Sequence, residues 1–440
     1  MKISNKYRLL GLLCFLCYNG VFAQQLDQSA LYAPNAYMVV PGSSITIPVK
    51  KAFAVWSYFP ALQAVQTDLS GAVTAELLWQ DSPGLISDLQ LENTGENALI
   101  RVSTNSVQKS GNAVVGVRIG GAIRWSWHIW VTNYSPETDN ITYVSEGIET
   151  TGMSINLGAT TESALDPASF GLLYQFGRNN PFPQAGVALL SKNYSFQGDT
   201  IYDISNNILS DGSVGLQYEE VTDPDNLINA INKPLTFYIG NAENGKDWYS
   251  STTIHNDTLW SGTKGNKGIF DPSPEGWRVP PVAQLDSTTA FPRAGSRDYA
   301  SGSFFMTGEY GMYWSATANN SLAYYMFLSN PLVDTKSSHY RSNAYAIRCV
   351  KDINYSTGFN SLATNTSAVN ILSEAKTIVA EIIDHSFAQC QAFVYNSNGV
   401  LVSKVTLVTT RTVIANNVEP GVYIVKVVGR YNSINKIIVQ

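Results

Sequence analysis

The chain has 440 residues, enough for two or three domains, and 14% of them are charged while 11% are aromatic. This mixture is typical of β-rich extracellular domains, because strands favour aromatic and β-branched residues and turns favour Gly and Asn. A formal net charge of −6 without a basic cluster argues against nucleic acid as a partner.

The N-terminus has the pattern of a secretory signal peptide over residues 1–23. Three basic residues precede an apolar run at 9–17, which is too short to cross a bilayer as a helix. We expect cleavage between Ala23 and Gln24. Loss of the three basic residues lowers the formal charge from −6 to −9. We therefore expect a secreted mature protein that is soluble or attached to a surface.

Two of the four cysteines fall inside this signal, so Cys349 and Cys390 remain in the mature chain. Two cysteines are too few for a disulfide framework or a cysteine-based zinc site. These two cysteines could form a disulfide with each other or remain as two unpaired thiols. Their placement in different predicted domains favours the thiols.

Residues 25–135 predict an all-β module folded as a β-sandwich. Short apolar runs alternate with turns rich in Gly and Pro, at a spacing typical of sandwiches. The strongest strand signal is 123–131, where Ile123, Trp125, Trp127, Ile129 and Val131 alternate with polar residues. We place further strands at 45–49, 75–79, 98–102 and 113–119.

On the second face of that strand stand His128 and Trp130. One interpretation is an aromatic platform for a sugar. The other, which we favour, is that the tryptophans fill the core and His128 sits on a half-exposed face, because large aromatics in strands mainly supply core area. No acidic residue lies near His128 in the sequence, so we expect no metal there.

A linker near 134–140 leads into a middle region, 140–352, that mixes short strands, long loops and a few helices. Residues 223–232 predict a short amphipathic helix, with Pro224 at the first helical position and an end before Pro234. A second helix is predicted after Pro281.

The middle region shows no catalytic motif. The four histidines are scattered, and there is no nucleophile elbow, zinc-protease motif or phosphate-binding loop. We therefore expect no cofactor and no enzyme, although a carboxylate pair for a surface polysaccharide hydrolase needs no motif.

Two kinds of ligand site are conceivable in the middle region. Calcium would need clustered oxygen ligands, but the aspartates of this region have no recognised spacing, and we favour solvated loop carboxylates. They are Asp199, Asp203, Asp211, Asp223 and Asp225. Aromatic-mediated binding would use whichever tyrosines are exposed among Tyr310, Tyr313, Tyr324, Tyr325 and Tyr340.

Residues 353–370 predict a flexible linker, and 371–440 predict six short strands in a small β-sandwich. Asn398 and Gly399 form a two-residue hairpin signal between two of these strands. The segment 419–427 and the ending Lys-Ile-Ile-Val-Gln resemble a type IX (Por) secretion C-terminal sorting domain of type A. The resemblance implies the type IX translocon as a partner and export across the outer membrane to the cell surface or medium.

The middle region resembles the FISUMP-type major paralogous domain, which implies an α+β, C-type-lectin-like fold. The resemblance rests on three segments: Gly-Trp-Arg-Val-Pro at 276–280, Trp-Ser-Ala-Thr at 314–317 and Arg-Cys-Val-Lys-Asp at 348–352. Earlier matches lie at 173–183 and 247–249. We interpret the conspicuous members as structural: Gly276, Trp277, Arg278, Pro280, Trp314, Arg348 and Cys349.

One departure from that family concerns Ser273, because relatives commonly carry Asp-Pro-Cys-Pro where this chain has Asp-Pro-Ser-Pro. If the family cysteine pairs with the one in Arg-Cys-Val-Lys-Asp, that bridge is missing here and Cys349 is free. Burial would then have to replace the stabilisation that a disulfide gives, typically about 2–4 kcal/mol.

Together these patterns predict a mainly β, multi-domain, exported cell-surface binding protein. It would be an adhesin or a fimbria-associated component that recognises a glycan or a host or matrix protein. The alternatives are a purely structural surface component without a specific ligand and, second, a surface polysaccharide hydrolase.

Overall fold

The computed structural model describes residues 28–105, 107, 110–184, 200–209, 216–262, 266–286, 291–354, 369–374, 376–382, 391–396, 400–409, 411–428 and 433–439. Within them the chain forms eight separate sheets and three short α-helices, so the prediction of a mainly β, multi-domain chain is confirmed. None of the described helices is long and apolar enough to span a membrane. The predicted signal peptide, its cleavage site, Cys390, most of the linker at 353–370 and the Asn398-Gly399 turn lie outside the described residues.

The N-terminal region contains seven strands. They are β1 (Ala36–Val39), β2 (Ser44–Pro48), β3 (Val73–Gln80), β4 (Ile86–Glu92), β5 (Leu99–Thr104), β6 (Gly111–Ile119) and β7 (Ala122–Val131). Strands β2, β5 and β4 form one sheet, while β1, β7, β6 and β3 belong to a six-stranded sheet. Strand β1 pairs in parallel with β7, which places Ala36 opposite His128. All five predicted strands of this region are present.

The prediction that this region is all-β is wrong. Helix α1 (Lys50–Tyr58) follows β2 directly, and α2 (Pro60–Gln63) follows α1. Helix α1 buries Phe53, Val55 and Trp56, and no side chain caps its N-terminus. The helix therefore depends on tertiary packing rather than on local end signals.

The middle region is built from short strands. They are β8 (Asn140–Ser145), β9 (Ile148–Met153), β10 (Tyr174–Gln175), β11 (Ile201–Tyr202), β12 (Ile208–Leu209), β13 (Gln217–Glu220), β14 (Thr236–Ile239), β15 (Trp277–Arg278), β16 (Ser296–Arg297), β17 (Phe304–Phe305), β18 (Gly311–Asn319), β19 (Leu322–Leu328), β20 (Val333–Tyr340), β21 (Ala344–Tyr345) and β22 (Val350–Lys351). Their sheets have the orders β10-β21-β16-β17, β13-β14, β15-β22-β9-β8 and β18-β19-β20.

The first helix predicted for the middle region is present as α3 (Asn226–Asn232). It begins two residues after Pro224, because the carboxylate of Asp223 accepts a hydrogen bond from the backbone N–H of Asp225 and holds a turn there. The second predicted helix is reduced to a single 3-10 turn, Val282–Gln284, and residues 287–290 lie outside the described chain.

The N-terminal and middle regions share one hydrophobic core, which extends along the sequence from Leu31 to Cys349. Strand β11 of the middle region also joins the N-terminal sheet, where Tyr202 lies opposite Gln80 on β3. The boundary predicted near 135–140 therefore separates two stretches of sequence whose apolar side chains pack together.

The C-terminal region has its own core, to which Ile378, Val394 and Val425 belong. Its strands are β23 (Val369–Glu374), β24 (Thr377–Ile382), β25 (Gln391–Asn396), β26 (Leu401–Thr406), β27 (Arg411–Ala415), β28 (Gly421–Val428) and β29 (Ser433–Val439). They form two sheets, β23-β24-β27 and β26-β25-β28-β29. The six strands predicted here are all present, and β23 precedes them.

Candidate functional site

The segment that begins at Asp271 is organised around one ion pair between a half-buried lysine and a fully buried carboxylate, in which Lys267 Nζ lies 2.9 Å from Asp271 Oδ1. The carboxylate also accepts backbone N–H groups of Ser273 at 2.9 Å and Val279 at 2.8 Å. Lys267 Nζ donates in addition to the carbonyl oxygens of Ser273 and Trp277, at 3.0 and 2.5 Å. Each buried charge thus has several partners, which is what makes its burial tolerable. The segment is an internally braced turn.

The other conspicuous motif residues are enclosed as well. The indole of Trp314 donates to the carbonyl of Tyr174 at 2.8 Å. Gly276 has a φ of 76°, a backbone conformation that favours glycine, and its carbonyl accepts the N–H of Asp352 at 2.9 Å. Gly276 is half-buried, and the buried members are Trp277, Arg278, Pro280, Trp314, Arg348 and Cys349. Their side chains face neighbouring chain segments rather than a ligand-sized cleft.

Arg348 stacks its guanidinium on the ring of Phe291 at 4.2 Å, and its Nε donates to Asn156 Oδ1 at 3.0 Å. Burial lowers the pKa of this guanidinium. Together with Tyr143 and Trp314 it lines a cavity of about 10 Å³. That volume is close to what one water molecule needs, so this cavity is too small for a sugar or peptide.

Cys349 is free and buried, and its Sγ lies 3.2 Å from Ser273 Oγ. Burial raises the pKa of the thiol to about 12, so the group is a neutral thiol at neutral pH. A buried neutral thiol is a poor nucleophile.

The predicted half-exposed position of His128 is wrong: this face of β7 is covered at Ser126, His128 and Trp130 and is half-buried at Arg124. His128 is buried, with Nε2 2.9 Å from Asn112 Oδ1, and burial lowers its pKa to about 3. Trp130 is buried too, and its indole donates to the carbonyl of Ala159 at 3.0 Å. The middle region covers this face, since Asn180 also donates to Ser126 Oγ at 2.6 Å. An aromatic sugar platform on β7 is therefore excluded.

The aspartates that a calcium site would have used close turns instead. Asp203 Oδ1 accepts the N–H groups of Ser205 and Asn207, both at 2.8 Å. Asp223 accepts from Asp225 as described above, and Asp199 and Asp211 lie outside the described residues. Within the described chain no group of three His, Cys, Asp or Glu side chains is placed to hold a metal ion.

Two of the five candidate tyrosines, Tyr313 and Tyr325, are buried, whereas Tyr310, Tyr324 and Tyr340 are half-buried. Tyr313 donates its hydroxyl hydrogen to the carbonyl of Pro292 at 2.6 Å. Of these residues, Tyr340 is the one that takes part in a surface cluster with a cation.

This cluster, the Lys246 cluster, consists of Lys246, Tyr299, His339 and Tyr340, all half-buried. The rings of Tyr299 and Tyr340 meet edge to face, with centroids 4.8 Å apart, and His339 packs on Tyr340 at 4.7 Å. Lys246 Nζ lies 4.2 Å from the centroid of Tyr340 and 4.7 Å from that of Tyr299. Its hydrogen bonds with the two tyrosine hydroxyls raise the pKa of Lys246. The cluster therefore combines aromatic faces with a permanent cation.

Backbone contacts hold the Lys246 cluster in place. The carbonyl of Lys246 accepts the N–H of Ser342 at 3.1 Å. Asn343 links the backbone of Tyr299 to the ring of His339. Its Oδ1 accepts the backbone N–H of Tyr299 at 3.0 Å, and its Nδ2 lies 2.7 Å from His339 Nδ1. A surface whose side chains are already ordered loses less entropy on binding.

Next to Lys246 in sequence, Asp247 is buried and its Oδ2 lies 2.8 Å from His255 Nδ1. Arg341, also buried, donates to the carbonyl oxygens of Asn320 and Leu322 and pairs with Asp257 at 2.6 Å. Arg341 thereby fixes the turn between β18 and β19 beside the loop that carries Lys246. This network fixes the loop and leaves one edge of the His255 ring partly exposed.

Sequence reasoning named Tyr340 but missed Lys246 and Tyr299, and it counted His339, which lies on β20, only as one of four scattered histidines. These residues are far apart in sequence, and only the folding of β16 and β20 against the 240–250 loop brings them together. The match at 247–249 was the one local signal in that loop.

A second surface feature is an open depression of about 660 Å³ beside α1 and α2, lined in part by Trp56, Pro60 and Leu69. The indole N–H of Trp56 is already used by the carbonyl of Arg124 at 2.7 Å, and the guanidinium of Arg124 lies 4.8 Å from its ring. Its polar lining consists of Ser57, Gln63, Gln66 and Thr67, and its lining residues include no cation.

No protein-family model matches the chain, and no curated protein does. The solved structures that resemble it include PorZ, a surface component of the type IX secretion system of Porphyromonas gingivalis, at 15% identity and a TM-score of 0.15. That match covers 29% of this chain and 17% of the PorZ chain.

Two further similar structures are domains of a biofilm-associated protein and of a surface-layer protein. The BSP domain of a biofilm-associated protein is 12% identical over 79% of each chain, with a TM-score of 0.15. Domains 4–9 of the surface-layer protein SbsC are 10% identical, over 92% of this chain and 64% of that one, with a TM-score of 0.16. Scores this low carry no argument about fold or function, and the FISUMP and C-type-lectin-like resemblance gains no support from them.

Proposed function

We propose that this protein is an exported cell-surface binding protein, an adhesin or fimbria-associated component, and that the Lys246 cluster is its recognition surface for a glycan or a protein. Export is supported by the signal-peptide pattern and by the resemblance of 371–440 to a type IX sorting domain, which would make the type IX translocon a partner.

One observation carries the binding proposal: Lys246 Nζ lies within 5 Å of two tyrosine ring centroids at a half-exposed surface. Sugars present C–H faces that stack on aromatic rings and hydroxyl groups that accept hydrogen bonds from an ammonium. Protein partners likewise use tyrosine and cation contacts as anchors. The conspicuous tryptophans are buried and unavailable for this role.

The test is binding of the mature chain, 24–440, to a glycan array and to a panel of matrix proteins. We expect Tyr340→Ala and Lys246→Met each to weaken the detected binding at least about tenfold, as for an anchor residue. Tyr324→Ala is the matched control, because Tyr324 is a half-buried tyrosine outside the cluster, and it should leave binding unchanged.

Equal binding by all four proteins would overturn the assignment of this surface. A folded wild-type chain without any ligand, but incorporated into a fimbrial or surface-layer assembly, would favour the purely structural component instead.

A further inference from the structure

Outside the Lys246 cluster, Lys51 and Asn35 form a buried pair, each with 1% of its surface exposed. Lys51 lies on α1, and Asn35 directly precedes β1. Lys51 Nζ and Asn35 Nδ2 both donate to the carbonyl oxygen of Ile269, at 3.1 and 2.9 Å. An amine and a carboxamide therefore meet at a single oxygen atom in the protein interior.

Lys51 is buried, and its hydrogen-bond partners are carbonyl oxygens rather than carboxylates. Its Nζ contacts the carbonyl oxygens of Leu31 and Ala33, at 3.0 and 2.5 Å, and lies 5.5 Å from the centroid of Trp125. Within the described chain no carboxylate forms a salt bridge with it. Burial, and then the charge of Lys267, lower the pKa of Lys51 well below its usual value, while the charge of Asp271 acts in the opposite direction. A lysine in such a site readily becomes the neutral, nucleophilic amine.

The carboxamide of Asn35 is held in one orientation. Its Nδ2 donates to Ile269 and, at 2.8 Å, to the carbonyl of Asp271. Its Oδ1 accepts the indole N–H of Trp125 at 3.1 Å. A donor on the carbonyl oxygen polarises the carbon and stabilises the negative charge that a nucleophilic attack would place on that oxygen. Carbonyl oxygens surround the nitrogen that would leave.

We propose that Lys51 and Asn35 become joined by an isopeptide bond between Nζ and Cγ. The neutral amine of Lys51 gives up its hydrogen bond to the carbonyl of Ile269 and attacks Cγ of Asn35, so that an Nζ–Cγ bond forms. The negative charge that develops on Oδ1 is stabilised by the hydrogen bond from the Trp125 indole N–H. The Cγ–Nδ2 bond then breaks. The proton that Nζ loses goes to the leaving nitrogen, which departs as ammonia. One amine and one primary amide thus give one secondary amide and ammonia, with no oxidant or reductant.

Such a bond would tie α1 to the chain segment before β1 and close a short covalent loop. A cross-link of this kind reduces the conformational freedom of the unfolded chain, by the reasoning that applies to a disulfide, but thiol reductants cannot open it. The unreacted alternative, an ammonium bound to three carbonyls, keeps the full mass of the chain.

The experiment is intact-mass spectrometry of the full mature protein after denaturation, followed by peptide mapping. We expect the wild-type mass to fall short of the sequence mass by one ammonia, and a branched peptide to contain both Asn35 and Lys51. Lys51→Arg and Asn35→Ala should each restore the full sequence mass. Asn112→Ala, which changes another buried asparagine, should retain the loss of ammonia.

A wild-type protein of full sequence mass, with Asn35 and Lys51 recovered in separate linear peptides, would overturn the proposal. This readout needs no folded variant, because the branched peptide from the wild-type protein decides it. Cyclisation of an N-terminal Gln24 also releases one ammonia, but that loss is found in the N-terminal peptide and creates no branch. A loss of ammonia that persists in both Lys51→Arg and Asn35→Ala would place the reaction elsewhere and would also count against it.

Discussion

Cys349 Sγ lies 3.2 Å from Ser273 Oγ, and both side chains are fully buried. The resemblance to the FISUMP-type domain implies a cysteine at the position of Ser273. The serine occupies the place that a disulfide partner of Cys349 would need, and a weak hydrogen bond replaces a covalent link.

From this contact we expect Ser273→Cys to form a disulfide with Cys349, because a sulfur atom at the Oγ position needs little movement to reach bonding distance. The oxidised variant should gain about 2–4 kcal/mol in free energy of unfolding, measured by urea denaturation with and without reductant. Ser273→Ala is the control and should show no dependence on reductant. The mature chain also carries Cys390, so three titratable thiols in the unfolded, unreduced variant, instead of one, would contradict the expectation.

The ion pair between Lys267 and Asp271 gives a second expectation. Asp271→Asn leaves the half-buried Lys267 ammonium with carbonyl acceptors only and should lower the free energy of unfolding by about 3 kcal/mol, the lower end for a broken buried pair. Lys233→Met, which breaks the exposed pair with Glu219, serves as the control and should cost no more than about 1 kcal/mol. Similar urea midpoints for the two variants would show that the segment does not depend on its central charge pair.

His128 should make the protein sensitive to acid. The pKa of His128 is about 3 in the folded protein and 6.5 when unperturbed. Between these two pH values the unfolded chain therefore binds a proton at His128 and the folded chain does not. Stability from this group is complete above pH 6.5 and falls, as the pH drops towards 3, by up to about 1.4 kcal/mol per pH unit.

We expect His128→Gln, which keeps a donor towards Asn112, to remove that part of the slope. Urea unfolding at a series of pH values between 7 and 4 measures it for both proteins. Parallel pH profiles for wild type and variant would mean that His128 is not the group responsible.

Export can be tested separately from binding. Deletion of 371–440 should retain the protein in the periplasm, because this segment is proposed to be read by the type IX translocon. Cell fractionation and surface labelling provide the measurement, with the full-length chain as control. Normal surface display of the truncated protein would refute the sorting assignment, but it would not bear on the proposal that the Lys246 cluster is a recognition surface.

The strands of the N-terminal and C-terminal regions were predictable because alternating residues such as those of β7 signal a strand locally. Helix α1 was not, since its Lys-Lys-Ala-Phe-Ala-Val-Trp sequence has no cap residue and is stabilised by packing. The burial of Trp130 agrees with the favoured interpretation, but that of His128 was missed because residues that cover this face, such as Ala159 and Asn180, lie far along the chain. The Lys246 cluster was hidden for the same reason.

The last strand of the middle region, β22, lies inside its sheet between β15 and β9 rather than at an edge. The residues around it are bonded on both sides, since Cys349 accepts the N–H of Met153 and Asp352 donates to Gly276. Where the C-terminal region holds the protein to a surface, a pulling force enters the middle region through this strand. An edge strand is bonded to one neighbour, whereas separation of this strand from its sheet has to break its hydrogen bonds to two neighbours.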